Sequence, residues 1–208
     1  VAHEIRNPLN AISIAAQRLA GEFQPTQNEA EYKLMTSNMK SETKRLDNII
    51  SRFLALAKSE KRQREDINLE TFFKKDAGFL KVEADQLGIK LEFNIDPQIS
   101  INADRESLMQ VFTNLFNNSK EALQGKPGTI LVEAFKADGI TAIAIDDSGP
   151  GISDDVSNEV FRPFFTTKEN GTGLGLPTVL RIVNEFGGEI TLEKSKLGGA
   201  RFKLTFPA

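Results

Sequence analysis

The chain contains no cysteine. Disulfides, thiolate zinc sites and cysteine nucleophiles are therefore excluded together, and a reducing compartment is compatible with the sequence. It has one histidine, His3, so any reaction that needs an imidazole has a single candidate. A strong excess of charge is also missing. The formal net charge is −3 over 208 residues, which leaves no basic footprint for nucleic acid or for an anionic membrane surface. No apolar run approaches the roughly 18–20 residues that cross a bilayer, and no signal-peptide pattern is present, so neither membrane contact nor export is expected. Internal repeats and low-complexity segments are absent. What is present suits a soluble protein with a proper core: 39% hydrophobic residues, including 15 Phe, and 26% charged residues. That is enough for one large domain or two small ones. The chain opens at Val1, part-way into a helical pattern, and reads as an excerpt of a longer protein.

Residues 1–62 are poor in glycine and carry helical periodicity. Ile5, Leu9, Ile12, Ala16 and Leu19 recur at alternating spacings of four and three, the seam of a packed helix. Gly21–Ala30, with Pro25, supplies a turn, and a second helix is predicted from about Asn28 to about Lys61. Its seam reads Met35, Met39, Glu42, Leu46, Ile49, Phe53 and Leu56. Two such helices cannot bury both seams alone, so the pattern predicts a hairpin that dimerises into a four-helix bundle. A monomeric hairpin resting on the rest of the chain is the alternative. The charge-dense stretch Lys58–Glu65 reads as helix end and linker. Beyond it the pattern changes. Helices are predicted over Thr71–Leu87, Ala103–Leu123 and Leu174–Phe186. Strands are predicted over Lys90–Ile95, Thr129–Ala137, Ile140–Ile145, Glu189–Glu193 and Ala200–Phe206. Hairpins without regular β-α-β alternation indicate a two-layer α/β sandwich, giving a fold of class α plus α/β overall.

Three segments of this second region carry chemistry. In the Ala103–Leu123 helix, Leu108, Val111, Phe112, Leu115, Ser119 and Ala122 form the expected buried face. Gln110, Asn114, Asn118 and Glu121 project together from another face. Asn114, Asn117 and Asn118 each cost helix stability of roughly several tenths of a kcal/mol, and side-chain amide oxygens suit Mg²⁺ that takes its other ligands from phosphates and water. An exposed polar face is the plainer reading of the row taken alone. The strand Ile143–Asp147 runs into Ser148-Gly149-Pro150-Gly151, where a buried carboxylate can accept a hydrogen bond from an exocyclic amine beside a glycine-lined approach. Gly171-Thr172-Gly173-Leu174-Gly175-Leu176-Pro177 precedes a helix, so its backbone N–H groups can form an anion site. It lacks the Lys-Ser/Thr ending of a P-loop and the GxGxxG of a dinucleotide fold. Between these segments, Phe161–Lys168 places three Phe in an otherwise polar loop, a pattern that fits a lid anchored on apolar surface.

In this order and spacing the motifs resemble those of the sensor histidine kinases of two-component signalling, and the resemblance spans essentially the whole chain. His3-Glu4-x-x-Asn7-Pro8 matches the phosphoacceptor box, Asn114–Ala122 the asparagine box, Asp147–Gly151 the first glycine box, Phe161–Lys168 the phenylalanine box and Gly171–Leu176 the second glycine box. Gly199–Pro207 looks like the family's last strand. Glu121 and the Phe-Phe-Thr-Thr-Lys ending look most like the nitrogen-regulation-type branch. The resemblance implies a dimerisation and phosphotransfer domain at 1–62 and a catalytic ATP-binding domain of the Bergerat type at 66–208. It implies ATP and Mg²⁺ as cofactors, and a homodimer and the receiver domain of a response regulator as partners. The expected location of this segment is cytoplasmic.

Residue by residue, the same resemblance implies that His3 accepts the phosphoryl group, that Glu4 draws on the other ring proton, and that Asn7 orients water for dephosphorylating the regulator. Asp147 would read the adenine amine beside Gly149 and Gly151. Asn118, helped by Asn114, would hold Mg²⁺. Gly171, Thr172, Gly173, Leu174 and Gly175 would cradle the phosphates, with Lys120 or Lys168 as phosphate contacts. Pro8 removes a helical hydrogen bond and is expected to bend the first helix. Relatives with the same ATP fold that hydrolyse ATP use Glu-x-x-x-Asn. Here the first position is Asn114, and an amide cannot act as a general base. That favours transfer to a protein nucleophile over the alternative, an ATP-hydrolysing dimerisation module.

Overall fold

The computed structural model describes residues 2–57, 63–137, 139–168 and 171–207; the side chains of residues 2–6, 48, 51–57 and 137 lie outside that description. The chain divides into two compact units, Val1–Glu60 and Lys61–Ala208. Most of the predicted linker, residues 58–62, falls outside the described residues.

The first unit is a helical hairpin of α1 (Ala2–Glu22) and α2 (Glu29–Ala57). Helix α1 continues unbroken through Pro8. Asn28 takes a positive φ of 57°, which Asn tolerates better than most residues, and its carbonyl accepts from Tyr32 N at 3.0 Å to start α2. The Tyr32 hydroxyl donates to the Leu19 carbonyl at 2.5 Å. That carbonyl lies in the last turn of α1, where a helix has no backbone donor to offer. The stripe that Tyr32 begins continues through Thr36 and Thr43, both buried. Their hydroxyls bond back to the carbonyls of Tyr32 (3.0 Å) and Met39 (2.7 Å), so only methyl-bearing surface is left to pack.

Within one hairpin the predicted seam is only partly covered, as a seam shared with a second copy would be. Met35, Met39 and Leu46 are 60%, 41% and 41% exposed, and Ile12 of α1 is 47% exposed, whereas Leu9 and Ala16 are buried. The side chains of Ile5, Phe53 and Leu56, expected in the same seams, lie outside the described residues. The buried face of α2 is thus a threonine stripe adjacent to the methionine stripe. Hydropathy counts these threonines as polar, although back-bonding makes them behave as small apolar residues.

The second unit begins with β1 (Glu65–Asn68), α3 (Leu69–Lys75), α4 (Gly78–Gln86), β2 (Ile89–Ile95) and β3 (Ser100–Ala103). It continues through α5 (Arg105–Ala122), β4 (Gly128–Ala137), β5 (Ile140–Asp147), α6 (Asp154–Ser157), α7 (Gly175–Glu185), β6 (Glu189–Lys194) and β7 (Ala200–Pro207). Five strands form one sheet in the order β2-β4-β5-β7-β6, and β1 pairs with β3 in a separate antiparallel ribbon. Within the large sheet only β2 and β4 run parallel. Helices and sheet enclose one core, in which Phe73 meets Phe112 edge-on at 4.5 Å and Phe72 and Phe93 complete an aromatic cluster. This is the expected two-layer sandwich.

Two local expectations are corrected. The helix expected over Thr71–Leu87 is two helices, α3 and α4, meeting at Asp76–Ala77. Buried Phe73, Ala77, Leu80 and Ala84 keep the 4-3-4 spacing straight through the corner, so periodicity cannot reveal it. Arg105 pins the corner, its guanidinium bonding Asp76 at 2.6 Å and Glu65 at 2.7 Å. Ala103, expected as the start of a helix, instead ends β3, and Asp104 caps α5 by accepting from Ser107 N at 2.8 Å. Replacing a ring at the centre of the cluster should be costly. Phe112→Ala is expected to lower the urea-unfolding free energy of this unit by about 3–5 kcal/mol, the usual cost of an unfilled aromatic site. Circular dichroism would read that loss.

Candidate functional site

Strand β5 is buried along nearly its whole length and ends in two adjacent carboxylates, Asp146 and Asp147. Successive strand residues face opposite sides of a sheet, so the pair divides. Asp147 is 2% exposed. Its Oδ1 accepts from Gly149 N (2.9 Å) and Ala200 N (3.2 Å), and its Oδ2 accepts from the Ser119 hydroxyl at 3.4 Å. The Oδ2 contact is long, so that oxygen keeps capacity for a further donor. Burial pushes the Asp147 carboxyl above the ordinary carboxylate range, against the pull of the two backbone amides and the Ser119 hydroxyl.

The glycines around it are needed for space. A methyl group on Gly149 would sit 3.0 Å from Asp147 Oδ1 and 3.1 Å from the Ala122 methyl, and one on Gly199 would overlap the Asp147 carboxylate outright. Gly151 has φ 78°, a conformation costly for any side chain. Motif and periodicity place Ser119 only on the buried face of α5 and Gly199 only at the start of the last strand. Neither pattern marks them as parts of the site. For Gly199 the sole signal in the sequence is the Gly198-Gly199 doublet.

The asparagine row lies on the same helix. Asn114 and Asn118 are both half-buried, and the Asn118 Nδ2 is buried without a hydrogen-bond partner. A buried amide N–H left unpaired costs about 1–3 kcal/mol, and as a donor this nitrogen would be satisfied by an acceptor such as a phosphate oxygen or water, while the amide oxygen is the atom able to ligate a cation. Asn114 faces the start of α7, its Oδ1 lying 3.8 Å from where a Gly175 Cβ would be. Helix α7 has no side-chain cap, so its first N–H groups have no protein acceptor of that kind and face a site suited to an anion. Pro177 falls in this first turn, where its missing N–H costs nothing. Among the described residues no three of His, Cys, Asp and Glu cluster as a metal site. A cation here would therefore combine amide oxygens with ligands brought by a phosphate chain, and the residues present fit that arrangement.

The phenylalanine loop is tied down at its start and at its middle. Phe161 meets Phe202 of β7 edge-on at 6.5 Å, and Phe164 N donates to Gly173 O at 2.9 Å. Gly173, at φ 63°, has no room for a side chain against the Phe164 and Phe165 backbone. Phe164 itself is 55% exposed. The two candidate phosphate lysines are both engaged. Lys168 pairs with Glu121 of α5 at 2.5 Å, whereas Lys120 turns to α4 and pairs with Glu83 at 2.6 Å. The structure thus brings Asp147, Gly149, Asn114, Asn118, Gly175 and Lys168 around one helix, α5, and directs Lys120 elsewhere. The side chains of His3 and Glu4 lie outside the described residues; their backbone is in α1, and Asn7 is exposed one turn further on.

Two family models match this chain. The model for histidine kinase-, DNA gyrase B- and HSP90-like ATPases covers residues 103–208, and the His Kinase A (phospho-acceptor) domain covers residues 1–62. The chain belongs to the sensor histidine kinases. Relatives within the family include the sensor histidine kinase ZraS of Escherichia coli (strain K12), 36% identical over the whole of this chain and 44% of its own length. Sporulation kinase E of Bacillus subtilis (strain 168) is 32% identical over the whole chain and 28% of its length. The chain therefore spans less than half of these relatives. Among solved structures, full-length ShkA in complex with AMPPNP superposes with a TM-score of 0.75 at 25% identity, covering 99% of this chain and 44% of that one. Histidine kinase ThkA in complex with the response regulator TrrA does so with a TM-score of 0.70 at 27% identity, covering all of this chain and 59% of that one.

Asp147 makes the stability of the second unit depend on pH. Its folded-state pKa is raised, so on acidification the native chain takes up this proton before the unfolded chain does. The native state therefore gains stability from this group as the pH falls from the raised value towards the unfolded one. Asp147→Asn keeps an Oδ1 to accept from Gly149 and Ala200 and carries no charge to bury. The variant is expected to be more stable than the wild type at about pH 7 and to lose that advantage towards about pH 4. Urea titrations of both proteins at the two pH values would check it.

Proposed function

We propose that the chain binds ATP with Mg²⁺ in its second unit, phosphorylates His3 in its first, and then passes the phosphoryl group to an aspartate in the receiver domain of a response regulator. The Asp147 Oδ2 accepts the adenine 6-amine, while Gly149 and Gly151 let the ring approach the backbone. Asn118 and Asn114 hold the cation, which neutralises charge on the phosphate chain. The uncapped start of α7 and the Gly171–Gly175 backbone, including Thr172 and Leu174, receive the phosphates. Lys168 is placed to leave Glu121 for a phosphate oxygen. An imidazole nitrogen of His3 attacks the γ-phosphorus, the N–P bond forms, the bond to the ADP oxygen breaks, and Glu4 stabilises the proton on the other ring nitrogen. Neutral imidazole is the competent form near pH 7. The aspartate oxygen of the regulator then displaces the histidine nitrogen.

One observation carries this reading over ATP hydrolysis. The side chain facing the start of α7 at position 114 is an amide, which cannot deprotonate water. The exposed stripe of Ile12, Met35, Met39 and Leu46 supports a homodimer closed through a four-helix bundle. Among the described residues no helix is long and apolar enough to cross a membrane, and dependence on ATP favours a cytoplasmic site of action. The division of the chain follows the same reading, with phosphotransfer in 1–62 and nucleotide binding in 66–208. Asn7, exposed at i+4 from His3 on the same helical face, would orient the water that dephosphorylates the regulator.

Incubation with γ-labelled ATP is expected to give an acid-labile, base-stable label that His3→Gln abolishes; label persisting in that variant would overturn the assignment. Asn7→Ala is expected to leave labelling within about twofold of wild type and to slow regulator dephosphorylation by about tenfold or more, the scale of a lost catalytic hydrogen bond. Equal loss of both activities would refute the division of roles.

A further inference from the structure

Asp146, the neighbour of the adenine-reading carboxylate, is fully buried and has no part in the reaction described above. Its Oδ1 accepts from the Ser195 hydroxyl at 2.8 Å, and its Oδ2 accepts from Arg201 at 3.0 Å. Arg201 lies also within 3.5 Å of Glu133 and 3.7 Å of Glu193, so the Asp146 charge sits in a compensated network on the sheet face opposite Asp147. Ser195 is the first residue of the tight β6–β7 turn. Its N–H donates to Gly199 O (2.9 Å), its carbonyl accepts from Gly198 N (3.0 Å), and its hydroxyl also accepts from Leu197 N (3.0 Å). The far end of that same turn returns to β5. Gly199 N donates to Asp147 O (3.1 Å) and Ala200 N to Asp147 Oδ1 (3.2 Å). The turn is therefore held at its start by one member of the acidic pair, and it holds the other member at its end.

We propose that Asp146 and Ser195 are positioning residues for nucleotide recognition: they fix the β6–β7 turn and, through Gly199 and Ala200, aim the Asp147 carboxylate at the adenine amine. The inference rests on the reading of Asp147 as the adenine contact. It assigns Asp146 and Ser195 a function through the neighbouring side chain, with no contact to ligand. The shape of the turn supports a directional role. The closeness of Gly199 to the carboxylate leaves no freedom between turn and side chain, so a shift of the turn becomes a shift of the Asp147 oxygens. Selectivity built on a buried polar group falls quickly when that group is misaligned.

The test compares binding of ADP with binding of purine riboside 5′-diphosphate, which lacks the 6-amino group, measured calorimetrically on the full chain. Ser195→Ala is expected to weaken ADP binding by about fivefold, the worth of one neutral hydrogen bond, and to leave the analogue within about twofold of wild type. Ser195→Thr, which keeps the hydroxyl, should retain the wild-type preference, and Asp146→Asn should narrow it as Ser195→Ala does. Equal weakening of both nucleotides in Ser195→Ala would mean a purely structural role and overturn the proposal, as would an unchanged preference. Asp147→Asn separates the two levels of the argument. If it leaves the preference for ADP intact, the adenine reading of Asp147 is wrong. If it erases the preference while Ser195→Ala does not move it, the positioning role alone fails.

Discussion

A carboxylate buried at the end of a central strand costs stability when no cation pairs with it directly. Asp147 is held by two backbone amides and one hydroxyl, and burial still leaves its ionisation disfavoured. Much of the surrounding architecture follows from keeping it there. Helix α5 supplies Ser119, the turn after β5 supplies Gly149, and the turn before β7 supplies Gly199 and Ala200. Each contributes either a small residue or a backbone group, since nothing larger fits. The cost resides in the free protein, as expected where a site is preorganised for a ligand that completes it.

The opposite end of the site solves its problem differently. Asn114, Asn118 and the uncapped start of α7 present amides and N–H groups. These are neutral dipoles, and in the proposed reaction the charges needed for phosphoryl chemistry arrive with the nucleotide. Lys168 is the exception, and Glu121 neutralises it at 2.5 Å. A site of mostly neutral dipoles avoids the desolvation cost of paired buried charges.

Elements whose periodicity coincides with their packing are legible in the sequence. The strands β4, β5, β6 and β7 and the helices α5 and α7 fall close to the expected positions, because alternation or a 3.6-residue repeat is what burial selects. Features that depend on particular hydrogen bonds leave no such pattern. The corner between α3 and α4 keeps the apolar register intact and is made by backbone rearrangement at Asp76–Ala77. The β1–β3 ribbon is short and polar, with Glu65 and Asp66 exposed, so its first residues merge with the charged stretch that precedes them. At the site, the side chains named from motifs are legible by type and spacing. Their supports, Ser119 and Gly199, are not, since each acts through one tertiary contact that leaves no periodic trace. Threonine misleads for a similar reason: its class is polar, but in α2 its hydroxyl is consumed by its own helix.

That threonine stripe has a consequence for how the helical unit behaves in solution. Among the described side chains, the inner face offers Leu9, Ala16, the back-bonded Thr36 and Thr43 and one tyrosine hydrogen bond, while Met35, Met39 and Leu46 are exposed. The favourable free energy of burying them is available only through a second surface, and a second copy in the proposed bundle supplies it by mass action. The melting temperature of this unit should accordingly have no single value. In the proposed bundle it varies with protein concentration, because folding and self-association of this unit are then coupled.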